Sequence, residues 1–356
     1  MNVLIVNPFG IGDVLFTTPV IRALKEKFPS GKIGYLCNKR AEPIIKVNPY
    51  VDKVFVYERD DFKKLQESSL IKWAFEFRWF IRSIKEGKFD AAVDFSLAAN
   101  LRFLLWLSKI KKRIGYDYRN KGFYLTNSLK LDGYNDRHMV EYYAQVLSLL
   151  GISVTNKKLE LFLDEKDKAF AEELFRNKRI DASKLIISVS PCGGASWGKD
   201  AGLKHWDIEN YCVLIDKLIE KFAAQIIILG DQKEQEKLIS LENKLKHPVI
   251  NLGGKTVLGQ FAAVVDRSEI LITNDGGPLH IAVALGKKTV SFFGPVDPKV
   301  YGPYPPDESR HIVLRKKLDC SPCYKNFRLS VCQRDRECLG SIKPEEAVEA
   351  VGRLLR

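Results

Sequence analysis

The chain has 356 residues, 46% hydrophobic and 28% charged, the balance of a soluble globular protein and not of a disordered one. That length accommodates two domains of ordinary size, and no uncharged apolar stretch approaches the ~20 residues of a membrane span. The net charge of +13 is lopsided: residues 1–160 hold 27 Lys and Arg against 17 Asp and Glu, the remainder 30 against 27. Such a basic half attracts polyanions, whether nucleic acid, anionic lipid or a phosphorylated substrate.

Residues 2–7, NVLIVN, read as a first strand without the basic leader of a signal peptide, so a cytoplasmic protein is expected, soluble or peripheral to a membrane. A Gly10-x-Gly12 turn follows and a helix begins at Asp13. This layout usually marks a phosphate-binding turn, because a helix start offers unpaired N–H groups and partial positive charge. Here Leu15 occupies the third glycine slot, and Asp13 puts a carboxylate where pyrophosphate would sit. A carboxylate stabilised at that position and able to accept a proton reads as a general base.

Val20, Ile21, Leu24 and Phe28 recur at helical spacing after Pro19, and apolar runs at 32–38, 51–57 and 89–95 supply further strands. Near-continuous apolar strands separated by helices indicate a parallel sheet covered on both faces. Residues 70–84, LIKWAFEFRWFIRSI, mix aromatic, aliphatic and basic side chains. We expect a crossover helix packed on its own sheet, with an anionic membrane surface as the competing reading. Residues 137–150 form an amphipathic helix that Gly151 terminates, and a charged helix around 164–179 leads into the second half.

Strands resume at 185–190, 225–230, 248–254, 269–275 and 288–294, with a helix over 207–222 that Asp207 caps. The loop after 185–190 contains Gly193-x4-Gly198-Lys199, close to a phosphate-binding loop. Asp200, however, replaces the Ser or Thr that would hold magnesium, which excludes an NTPase. Lys204 and Trp206 are candidates for contacting a diphosphate. Strand 269–275 opens into Asn274-Asp275-Gly276-Gly277-Pro278-Leu279-His280. Its two glycines permit close backbone approach, Pro278 suits a first helical turn, and the N–H groups there form an anion site with His280 one turn on.

Seven cysteines, an odd number, argue against a disulfide framework. Cys320, Cys323, Cys332 and Cys338 have the spacing C-x2-C-x8-C-x5-C; the second pair lacks the compact form of a zinc ribbon, so reduced thiols and no metal are expected, with a thiolate zinc site as the competing reading. The first domain is placed at 1–165 and the second at 180–340. A last helix within 341–356 is expected to pack back on the first domain.

GIGDVLFTTP (10–19), Lys204-His205-Trp206, NLGGKTVL (251–258), NDGGPLHIAVALGKKTVSFFGPVDP (274–298) and the late cysteines together resemble glycosyltransferase family 9, the heptosyltransferases of lipopolysaccharide assembly. The resemblance implies the GT-B architecture, two Rossmann-like domains facing a central cleft. It also implies no cofactor, an ADP-heptose donor and an anionic lipopolysaccharide-type glycolipid acceptor. By the same resemblance Asp13 is the catalytic base, with Gly10, Gly12 and Thr17 on the acceptor side. Lys204, Glu234, Asp275, Gly276, Gly277 and His280 are then on the donor side. Gly276 stands where the family usually carries Ser or Thr, so one hydroxyl contact is absent while the backbone N–H remains.

The expected reaction is inverting, metal-independent sugar transfer by a monomer working on the cytoplasmic face of the inner membrane. The alternatives are a nucleotide-sugar epimerase of the same fold and a non-catalytic polyanion binder. No aromatic-basic nucleic-acid motif is present, so nucleic acid is not an expected partner.

Overall fold

The structure, a computed structural model, describes residues 1–193 and 195–356. They form two compact units, residues 1–134 with 139–158 and residues 135–138 with 159–356. In the first unit six strands lie in the order β3-β2-β1-β4-β5-β6: β1 (Val3–Val6), β2 (Ile33–Cys37), β3 (Lys53–Val56), β4 (Ala91–Asp94), β5 (Lys112–Tyr118) and β6 (Asn127–Leu131). Every pair is parallel. All residues of β1, β2 and β4 are buried, which is why these strands run apolar without alternation.

One of those buried residues is charged. Asp94, at the end of β4, pairs with Arg102 of the Ala99–Leu107 helix at 2.6 Å, both side chains fully buried. Arg102 also donates to the carbonyl oxygens of Tyr116 (2.8 Å) and Lys121. Nothing in the sequence announced this pair.

In the second unit the strands are β7 (Ile186–Ser190), β8 (Gln225–Ile228), β9 (Ile250–Asn251), β10 (Ile270–Asn274), β11 (Lys288–Phe292) and β12 (His311–Leu314). Their order is β12-β11-β10-β7-β8-β9, again all parallel. Counted from the first strand of its own unit, each sheet has the doubly wound order 3-2-1-4-5-6. Winding reverses between β1 and β4 in one sheet and between β7 and β10 in the other. Loops diverge at such points, opening a crevice beyond the carboxyl ends of the strands where ligands bind.

The helix at Pro344–Leu354 corrects an expectation. Ala347, Val348, Val351 and Leu354 are buried in the second unit's own core, among residues of the Ile208–Phe222 helix and β11. The apolar face that was expected to seek the first domain is satisfied within the second.

Candidate active site

In the first unit, β1 feeds directly into a short helix, Ile11–Leu15, with Gly10 at its N-cap and Asp13 in its first turn. The turn is fastened by side-chain amides. Asn7 Nδ2 donates to the Asp13 carbonyl (3.0 Å), and Asn38 Nδ2 donates to the carbonyls of Pro8 (3.1 Å) and Phe9 (2.6 Å). Asp13 is half-buried. Its charge is felt by two buried phenols, Tyr35 and Tyr134, which burial first and Asp13 among later causes hold protonated well above the ordinary tyrosine range. Thr17 is fully buried; its hydroxyl donates to the Val14 carbonyl (2.6 Å) and shares a hydrogen bond with Tyr35 (2.8 Å). It therefore braces the turn from inside and presents nothing to an acceptor.

In the second unit the loops after β7 and β10, the two strands flanking the reversal, converge. Lys204 Nζ lies 2.6 Å from Asp275 Oδ2, with both side chains over nine-tenths buried, and 4.2 Å from the centroid of the Trp197 ring. Asn274 ties the loops together: its Oδ1 accepts from Trp206 N (2.9 Å) and Tyr211 Oη (3.2 Å), and its Nδ2 donates to the Pro191 carbonyl (2.7 Å). Gly276 is the N-cap of the Gly277–Ala284 helix, in extended backbone, with Pro278 in the first turn. That helix start offers its N–H groups beside the Lys204 ammonium, an arrangement that receives phosphate oxygens.

Gly193 holds the third side. Its φ of +110° is a conformation that side chains rarely adopt, and its N–H donates to Glu234 Oε1 (2.7 Å). Glu234 Oε2 accepts from Asp231 N (2.9 Å). Burial raises the Glu234 carboxyl above its ordinary range. Both carboxylate oxygens thus already clamp the loops after β7 and β8. The near-phosphate-loop motif spans residue 194, which lies outside the described residues.

Two sequence expectations are corrected. Trp206 is 1% exposed, stacked on Phe292 with ring centroids 4.2 Å apart, and donates Nε1–H to the Ile342 carbonyl (3.1 Å), so it is core and does not reach a diphosphate. Asp207 makes no side-chain cap for its helix; its Oδ1 instead accepts from Arg336 (2.8 Å), which also donates to the His205 carbonyl (2.9 Å). Arg336 and Lys237 border a cavity of about 430 Å³ with Lys199 and His205. Neither was singled out from sequence: Arg336 lies far along the chain from the glycine-rich loops, and Lys237, three residues past Glu234, reads as an ordinary surface lysine. Among the described residues no group of three or more His, Cys, Asp or Glu converges to hold a metal, and all seven cysteines are free thiols.

His280 is fully buried, and burial first, then the charges of His138 and Lys204, push it down to about 3. His311 is likewise pushed down by burial to about 4. Both are neutral when folded at pH 6.5, whereas the unfolded chain titrates there. Stability is therefore complete above pH 6.5 and is lost as pH falls toward the folded values. Between about pH 7.5 and about pH 5.5 His280 alone removes about 1.4 kcal/mol, and His311 contributes a similar loss. Urea unfolding at the two pH values should show it, with a shallower dependence in His280→Asn. An unchanged dependence in that variant would refute the assignment.

The family model for glycosyltransferase family 9 (heptosyltransferase) matches residues 77–330. Lipooligosaccharide heptosyltransferase 2 of Campylobacter jejuni subsp. jejuni is 26% identical over 368 residues, covering 100% of this chain and 99% of that protein. The crystal structure of a family 9 glycosyl transferase from Veillonella parvula superposes with TM-score 0.81 at 23% identity, covering 99% and 97% of the two chains. The E. coli heptosyltransferase WaaC with ADP gives TM-score 0.74 at 20% identity, covering 99% and 100%. These likenesses bear out the expected GT-B architecture of two Rossmann-like units.

Proposed function

The chain belongs to glycosyltransferase family 9 and is a glycosyltransferase, and we propose that it transfers a heptose from ADP-heptose to an anionic lipopolysaccharide-type acceptor with inversion at the anomeric carbon. The observation that carries the donor half is the buried Lys204–Asp275 pair beside the Gly277–Ala284 helix start. A lysine held there by a single carboxylate is poised to exchange part of that pairing for diphosphate oxygens. WaaC, which shares the fold, was solved with ADP, and the Campylobacter relative is a lipooligosaccharide heptosyltransferase; both support the donor and the acceptor class.

In the proposed step an acceptor hydroxyl attacks the anomeric carbon from the face opposite ADP, and Asp13 takes the hydroxyl proton as the carbon–oxygen bond to the diphosphate breaks. ADP leaves carrying the bonding electrons. Lys204 and the N–H groups at Gly276 and Gly277 stabilise that charge electrostatically, so the step calls on no metal. Glu234 positions the loop that borders the nucleotide, and neutral His280 lines the helix behind the phosphates. The excess positive charge of the first half draws an acceptor rich in phosphate and carboxylate.

The donor assignment is tested by thermal shift. A ligand at 100 times its dissociation constant stabilises by about 2.7 kcal/mol, so ADP-sugars should raise the melting temperature where UDP- and GDP-sugars do not. Lys204→Met should abolish the shift. Equal shifts from all three nucleotides would overturn the assignment. Donor turnover without an acceptor would instead favour the epimerase.

A further inference from the structure

The Leu70–Glu86 helix has two apolar faces, and the fold uses only one. Trp73, Phe77, Phe80, Ile81 and Ile84 follow helical spacing; Phe80 and Ile84 are buried in the first unit's core, and Phe77 and Ile81 pack against it. Ile71, Phe75 and Trp79 form a second stripe, about 170° round the helix at 100° per residue. These three are 85%, 70% and 60% exposed. The expectation of an ordinary crossover helix is therefore half the story.

The Ala99–Leu107 helix repeats the pattern on the same sheet face. Leu101, Leu104 and Leu105 enter the core that holds Phe80 and Ile84, while Phe103 and Trp106 stay exposed and cluster with Tyr124, their ring centroids 5.3–5.9 Å from one another. Phe123 beside them is 66% exposed. Basic side chains accompany both patches. Lys72, Arg78, Arg82 and Lys85 outnumber Glu76 and Glu86 on the first helix, and Lys109, Lys111, Lys112 and Arg113 follow the second. Arg82 meets Glu86 at 3.1 Å on the surface, a pairing of little net strength.

We propose that this face of the first unit docks on an anionic bilayer surface, with Ile71, Phe75, Trp79, Phe103 and Trp106 entering the headgroup region and the flanking Lys and Arg meeting lipid phosphates. Three features select a bilayer over a protein partner. The exposed apolar residues are dominated by Trp and Phe, whose rings suit the membrane interface. The adjoining charge is of one predominant sign, complementary to anionic lipid. Both patches also belong to helices on one sheet face, so a flat surface can meet them. Among the described residues no helix is long and apolar enough to cross a membrane, so the contact is with the surface. Docking depends on these residues alone and does not rest on which sugar is transferred.

Co-sedimentation of the full chain with phosphatidylcholine vesicles, with and without phosphatidylglycerol, tests this. Binding should require the anionic lipid and weaken with salt. Phe75→Ser/Trp79→Ser should lower the partition coefficient by at least about tenfold, and Arg78→Gln and Arg82→Gln by about fivefold each. All these positions are exposed, so melting temperature and the ADP-sugar thermal shift should match the parent. That separates failure here from failure of the proposed transfer. Absence of binding to anionic vesicles, or binding that the double variant leaves intact, overturns the proposal. So does a vesicle-free dimer, seen by sedimentation velocity, that the double variant dissolves; the face would then belong to a second copy.

Discussion

Asp13→Asn lowers the rate of sugar transfer by about 10²–10⁴-fold, the usual contribution of a positioned general base, while fold and donor binding persist. The substitution keeps the size of the side chain and removes its ability to take a proton. These amide fastenings survive it, since Asn7 holds the residue through its backbone carbonyl and Asn38 secures Pro8 and Phe9. Tyr35 and Tyr134 stay neutral because burial, the foremost cause of their raised values, is unchanged. The donor groups, Lys204 and the Gly277 helix start, belong to the other unit. The effect should therefore fall on the single-turnover rate and leave the ADP-sugar thermal shift intact. A folded Asn variant that transfers sugar near the parent rate sinks the assignment of Asp13 as base.

The turn that carries this residue was legible because its chemistry is local. A strand, two glycines and an out-of-place aspartate fit within a dozen residues, and the glycine-rich loop at 274–280 is as compact. The twelve strands of the two sheets were expected or missed according to how apolar they are. β1, β2 and β10 are buried along their whole length, and their sequences say so. β5 was hidden because it opens on Lys112-Arg113, which reads as a solvated run; only Ile114, Gly115 and Tyr116 are buried. β6 and β12 are edge strands with one neighbour each, so their burial is partial and their pattern weak. Trp206 misled for the opposite reason. Beside Lys204 it looks like part of the ligand contact, yet successive residues entering a helix point in different directions, and Phe292 from β11 covers its ring. The Arg336–Asp207 contact joins residues 129 apart, and such pairings carry no local signal.

The second unit's proposed role as donor holder is independent of the largest stability effect expected in the first. Arg102→Met leaves Asp94 fully buried without a cation, and breaking a buried pair from one side costs about 3–5 kcal/mol. At roughly 2–4 °C per kcal/mol for a domain of this size, the first unit should melt roughly 10 °C lower. The carbonyls of Tyr116 and Lys121 lose a donor as well, so the segment joining β5 to β6 loosens with it. Removing both charges in Asp94→Leu/Arg102→Met should destabilise less than the sum of the single variants, since no unpaired charge is left. Circular dichroism melts of the three variants decide this: a single variant melting within about 2 °C of the parent shows the pair to be dispensable. The location gives the pair its consequence for the reaction. Asp94 is in register with Val6 at the end of β1, where the chain turns toward Gly10 and Asp13. A β4 end that loses its clamp no longer supports that turn, so transfer should fall in Arg102→Met below its melting temperature, while the ADP-sugar shift, carried by Lys204, remains.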